Sequence, residues 1–161
     1  MTEQLAHAVA DGAREITGVA VVLKNTDSAT HEELLAADAI ILGSPNWNGV
    51  TGKFKEWLDG TGQFWEDNPL VGRVGAAFTS GWSRSAGLEF TLWSLLHVLL
   101  AHGMIVVGLP WSDTMRSTGS YYGASAVGRV RPTDVQQARR LGRRVAEVTR
   151  RLFANGGDRI V

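Results

Sequence analysis

The apolar run Ala39-Ile-Ile-Leu42 stops at Gly43 and passes into a loop of Ser, Pro, Asn, Trp and Gly, after which Lys53–Asp59 is patterned as a helix. A short run that is apolar on both faces belongs to a strand covered on both sides, as in a parallel α/β sheet. Sheets of that kind place their ligand sites at the carboxyl ends of the strands. Here that end carries many exposed amides and one large aromatic, Trp47. A flat molecule with polar edges suits such a place.

With 161 residues, 44% of them hydrophobic and 20% charged, the chain is the size of one α/β domain, and residues 1–161 are read as a single domain. Its formal charge of zero removes any global argument for nucleic acid or an anionic membrane as partner. Without cysteine there is no disulfide framework, no zinc–thiolate site and no thiol chemistry. No apolar run approaches the roughly 18 residues that span a bilayer. The opening Met-Thr-Glu-Gln-Leu-Ala-His lacks the basic start and apolar core of a signal peptide, so a cytoplasmic protein is expected.

Along the chain, Leu5, Val9, Ala13 and Ile16 recur at helical spacing, predicting a helix over Thr2–Ile16 with Thr2 as its cap. Gly18–Lys24 reads as a strand, and His31–Leu35 as a short helical turn. The strand at Ala39 and its helix follow, then a connection over Gln63–Val71. Val74–Phe78 is a further strand, ending in a glycine- and serine-rich loop over Thr79–Gly87. Leu88–His102 is a long apolar helix closed by Gly103 in the C′ position. Met104–Val107 is the last predicted strand, Leu109–Arg131 a long irregular segment, and Pro132–Ala154 a final helix. The alternation argues for one doubly wound parallel sheet. A right-handed crossover needs a strand ahead of the first helix, and the sequence begins at that helix.

These segments resemble the flavodoxin-like fold, specifically the WrbA-type NAD(P)H:quinone oxidoreductases. The resemblance is carried by Ala6–Ala13, Ala39–Pro45, Phe54–Gly62 with Phe64-Trp65, Ala77–Ser80, Leu100–Met104 and Tyr122–Ser125, in the family's order and spacing. It implies a sheet ordered 2-1-3-4-5 with strand one, normally central, lying ahead of Thr2. Either the reading frame begins upstream and Met1 is internal, the preferred expectation, or the sheet is gapped or re-paired. The preference rests on the unpaired amides a gap would leave, each costing about 1–3 kcal/mol.

The resemblance further implies FMN laid across three loops. The first is represented by Thr2 and Glu3, at the phosphate. The second is Ser44, Pro45, Asn46, Trp47, Asn48 and Gly49, and the third Ser80, Gly81, Trp82, Ser83, Arg84 and Ser85. His102 takes the place of a histidine facing the flavin site, where it would help protonate a quinone oxygen. Trp65 takes the place of an aromatic that a neighbouring subunit projects toward the quinone or nicotinamide pocket. Trp82 and Arg84 depart from the small, glycine-rich residues usual in the third loop.

On their own chemistry, these residues admit plainer roles too. Trp47 between Asn46 and Asn48 is suited to stacking on a planar ligand, whereas the asparagines serve equally as turn formers, their backbone amides being the better donors. Ser80, Gly81 and Ser83 fit a site or an ordinary loop. Arg84 is a candidate for the anionic reduced flavin or a nicotinamide phosphate, or simply solvated. His102 at a helix end gains from the dipole whatever its function. Leu92, Trp93, Leu95, Leu96, Val98 and Leu99 make their helix apolar nearly all round, which predicts burial on two sides and an oligomer, dimer or tetramer. Two functions are therefore expected from different classes. One is an FMN-dependent enzyme passing electrons from NAD(P)H to a quinone; the other is a flavin-free interaction or structural subunit. A one-electron carrier is disfavoured by the neutral charge.

Overall fold

The computed structural model describes residues 1–153. Its elements in chain order are α1 (Thr2–Arg14), α2 (His31–Ala36), β1 (Ala39–Pro45), α3 (Gly52–Asp59), β2 (Val74–Gly81), α4 (Leu88–Ala101), β3 (Ile105–Val106), β4 (Gly123–Val127) and α5 (Pro132–Phe153). The predicted end of the last helix, Ala154, lies outside the described residues.

All strand pairs are parallel. β1 runs beside β2 from Ala39↔Val74 to Pro45↔Ser80. On the other edge of β2, β3 and β4 follow one another in line: β3 pairs with Val74 and Gly75, and β4 with Ala77 through Gly81. β2 is thus the central strand, and each of its eight residues is buried. That explains why its sequence is apolar or small on both faces.

Two cores flank the sheet. Leu5 and Val9 of α1 meet Phe78 of β2 and Leu141 and Val145 of α5 on one face. On the other, Ile40 and Leu42 of β1 meet Phe54 and Leu58 of α3 and Leu92, Leu95 and Leu99 of α4. The α1–α5 packing is close because both helices present a glycine to the crossing. A Cβ at Gly12 would run into the Arg139 carbonyl, and one at Gly142 into the Val9 carbonyl.

Three expectations are corrected. Gly18–Lys24 is not a strand: Val22 is 74% exposed, and only Val19 and Val21 pack, against Ala13, Ile16 and Ala146. The sheet's order is β1–β2 with β3 and β4 beyond, equivalent to the expected 3-4-5, and Gly18–Lys24 pairs with none of its strands. The supposedly irregular Leu109–Arg131 contains β4. Thr2 is not the cap of α1, a position that falls to Met1. The side of α4 that faces the sheet is buried, while Phe90, Trp93 and Leu100 on its other side are exposed. The C′ glycine is as expected, Gly103 holding φ +69°. Among the described residues no helix is long and apolar enough to cross a membrane.

Candidate functional site

At the carboxyl rim of the sheet the chain leaves β1 at Pro45 and β2 at Gly81, and the register that pairs Pro45 with Ser80 brings the two exits side by side. Asn46 joins them. Its amide donates to the Ser80 carbonyl at 2.7 Å and its side-chain Nδ2 to the Ala86 carbonyl at 2.6 Å. Its Oδ1 accepts from the Gly49 amide at 3.0 Å and from Thr91 Oγ1 at 2.9 Å. One asparagine thereby fixes the β1–α3 turn, the β2–α4 turn and the first turn of α4 to one another. Asn48 and Gly49 complete the tight turn at φ +56° and +117°, a region that Asn and Gly enter most readily.

Two indoles stand on this rim, Trp47 at 73% and Trp82 at 76% exposure. Apolar rings of that size left in water on adjacent turns, with no core behind them, are what a stacking site leaves open. On the β2–α4 turn, the amides of Trp82, Ser83, Arg84 and Ser85 have no hydrogen-bond partner among the described residues. The amino end of α1 reaches the same rim, where Thr2 Oγ1 and Ser80 Oγ lie 2.6 Å apart. This helix end and hydroxyl pair favour an anion there.

Several predicted contacts are corrected by this geometry. Ser44 is fully buried, its hydroxyl donating to the Pro45 carbonyl and accepting from the Thr51 amide. Gly81 is buried in β2, where a Cβ would press on Leu88 and Asn46. Both shape the rim from below, as does Ser80 at 1% exposure. The Asn46 side chain and the amides of Asn46, Trp47 and Gly49 are engaged within the turns. The available donors are instead those of the β2–α4 turn. Pro45, Asn48, Ser83, Arg84 and Ser85 are exposed at the rim.

The larger correction concerns His102. Parallel strands make each helix run back across the sheet, so the end of α4 lies at the amino ends of the strands. The Gly72 amide donates to the Gly103 carbonyl there. β2 spans eight residues, roughly 23 Å at about 3.3 Å per step, and His102 sits at the opposite end from Ser80. It is 2% exposed, with Nε2 2.9 Å from Thr61 Oγ1, and Trp65 meets its ring edge-on at 6.4 Å. Thr61 gives its one proton to the Leu58 carbonyl, so Nε2 carries the imidazole proton and Nδ1 is left buried without a partner among the described residues. Burial holds its pKa below the ordinary histidine value. A neutral imidazole with an enclosed Nδ1 cannot serve a ring on the far rim of its own chain. Trp65, 59% exposed, shares that far end.

The family model described as NADPH-dependent FMN reductase matches residues 3–114. The NAD(P)H dehydrogenase (quinone) of Archaeoglobus fulgidus is 42% identical, aligned over 94% of this chain and 92% of its own. The chain belongs to this family. A second NAD(P)H dehydrogenase (quinone), from Syntrophobacter fumaroxidans, is 35% identical over 94% of this chain and 93% of its own. Among solved structures, the WrbA-like flavodoxin from Agrobacterium tumefaciens superposes with a TM-score of 0.71 at 29% identity, covering 93% of this chain and 90% of that one. The stretch matched by the family model takes in β1, β2 and β3.

The rim fits the planar end of FMN on its own chemistry. It offers exposed indoles for the ring faces, unengaged amides for the polar edge, and a helix amino end with the Thr2 hydroxyl for an anionic tail. Residues the sequence reading missed are Thr91 and Ala86, which hold Asn46. Thr91 lies on α4 at helical spacing from Gly87, which could have flagged it.

Proposed function

We propose that this chain is an FMN-dependent oxidoreductase that passes two electrons from NAD(P)H to a quinone. The observation that carries the reading is the Asn46 junction, which sets the Trp47 and Trp82 turns on one rim of a chain 42% identical to a named NAD(P)H dehydrogenase (quinone). Bound there, FMN supplies the hydride acceptor and the two-electron chemistry. The protein supplies placement and electrostatics. Trp47 and Trp82 give faces for stacking and shield the site from water. The amides from Trp82 to Ser85 provide hydrogen-bond donors where negative charge grows on reduction, without a titrating proton of their own. Thr2 and the start of α1 take the phosphate end, the buried Ser80 hydroxyl holding Thr2 from behind.

Trp65 enters the reading from a second subunit. It lies at the wrong end of its own chain and is exposed, as are Phe90 and Trp93 on the outer side of α4. An oligomer, dimer or tetramer, that covers α4 brings one chain's Trp65 toward another's rim. The cytoplasm, which holds reduced nicotinamide nucleotides, is the compartment this reading requires.

The test is an anaerobic titration. FMN added to the full chain should bind, its yellow band should bleach with NADPH, and a quinone should restore it. Binding without bleaching overturns the enzyme reading. No binding at all assigns the chain to the flavin-free interaction class.

A further inference from the structure

Beyond the flavin rim, past β4, lies a polar cleft of about 170 Å³ that the reading above leaves unused. Its walls include Arg84 from the β2–α4 turn, Glu89 from the first turn of α4, Ser117 and Ser120 from the turn ahead of β4, Ser125 of β4, and Arg131. β4 pairs with the rim of β2 at Ser80 and Gly81, so the cleft begins one strand, about 4.8 Å, beyond the site described.

The cleft is built rather than incidental. Thr118 Oγ1 donates to the Ser125 carbonyl at 3.0 Å, and Gln137, 1% exposed, donates to the Thr118 carbonyl at 3.1 Å. Arg131 donates to the Ser117 carbonyl at 3.3 Å. Its guanidinium is in turn anchored on both oxygens of the fully buried Asp134, each at 3.4 Å. Three independent bonds therefore hold the Ser117–Ser120 turn, and Gly119, at φ +76°, keeps the backbone against the Gln137 amide, where a Cβ would collide. Arg84 is exposed and has no ion-pair partner among the described residues.

The donor set is specific in kind. Two guanidiniums, one of them fixed, suit a phosphate. An arginine beside the ribose is what accommodates a 2′-phosphate in nicotinamide nucleotide sites, and a carboxylate next to it can accept from a neighbouring free hydroxyl. The volume falls below the roughly 300–1,000 Å³ of pockets that enclose a whole drug-sized ligand, so the cleft holds one end of a longer molecule. We propose that it receives the ribose 2′-phosphate of NADPH, with Arg84 and Arg131 on the phosphate and Glu89 on the adjacent 3′-hydroxyl. The inference rests on the NAD(P)H reading above and makes NADPH the preferred donor. Arg84 is the specificity residue, because Arg131 is already paired with Asp134 whereas Arg84 has no ion-pair partner among the described residues.

Adenosine 2′,5′-bisphosphate and adenosine 5′-monophosphate are titrated calorimetrically into the full chain, with and without FMN. The bisphosphate should bind at least tenfold tighter. Arg84→Ala should remove most of that difference, Arg84→Lys should restore part of it, and Glu89→Gln should tighten the bisphosphate further. Equal or absent binding of the two probes by the wild-type chain overturns the proposal, as does an unchanged ratio in Arg84→Ala. Probe discrimination without NADPH bleaching of FMN leaves the cleft standing and removes the enzyme reading. Bleaching with no probe discrimination removes the cleft alone.

Discussion

At the scale of single residues, Asn46 and His102 show how one side chain is committed by its neighbours. Asn46 makes three side-chain hydrogen bonds to three different segments. Asn46→Ala should lower stability by about 1–3 kcal/mol, and, by freeing the two turns, should weaken FMN by on the order of tenfold or more. Denaturant titration and flavin fluorescence measure the two effects; a stability loss with unchanged FMN affinity would show the junction to be structural only. His102 yields a pH prediction. Its folded-state pKa is depressed by burial, so the unfolded chain binds its proton more readily. The stability it contributes is fully present above the ordinary imidazole value near 6.5 and is lost as pH falls from there through the lowered folded-state value. The melting temperature should therefore drop between about pH 7.5 and 5. His102→Gln, which keeps a donor for Thr61 and has nothing to protonate, should flatten that slope.

Among the elements, the α1–α5 crossing makes the sharpest demand. Gly142→Ala drives a methyl group into the Val9 carbonyl, and backbone cannot rotate aside as a side chain can. A destabilisation of about 1–3 kcal/mol or more is expected, read as a lower denaturation midpoint at unchanged slope, while Arg144→Ala on the exposed side of α5 should stay within about 0.5 kcal/mol. What could be read of these elements beforehand followed one rule. β1, β2 and α4 were legible because an element covered by its own neighbours advertises itself in continuous apolar residues. Val19-Ala-Val-Val-Leu23 advertises just as strongly, yet a strand exists only through a partner, and apolar character says nothing about whether one is adjacent. β4 fails in the opposite sense. Gly-Ala-Ser-Ala-Val carries almost no β-branched or aromatic signal, because it lies so close to β2 that a Cβ at Gly123 would strike the Ala77 carbonyl. The site followed suit. The Trp47 and Ser80 turns were legible as loops at strand ends, whereas the cleft draws Arg84, Glu89, Ser117 and Arg131 from four segments that only the fold brings together.

For the molecule as a whole, the separation of Trp65 from the rim decides how many chains make a site. In one chain they lie at opposite ends of an eight-residue strand, too far for any shared ring. If Trp65 serves a neighbouring subunit, Trp65→Ala leaves FMN binding intact and lowers quinone turnover, because the flavin rim of the same chain is untouched. A rim-defective variant, Asn46→Ala combined with Trp47→Ala, fails for the complementary reason. In mixed oligomers each chain then supplies what its neighbour lacks: intact rims from Trp65→Ala chains and intact Trp65 from the rim-defective ones. Random mixing into dimers with one working site per mixed pair returns about a quarter of wild-type turnover, against the simple mean of two impaired enzymes if every chain works alone. Co-refolding the two variants and measuring NADPH-dependent quinone reduction decides between these outcomes. Phe90→Asp with Trp93→Asp supplies the control, since charging the exposed side of α4 should shift the native mass downward and abolish the recovery. Recovery that survives this change would place the shared contact elsewhere than α4. No recovery in the unaltered mixture would return Trp65 to a role within its own subunit.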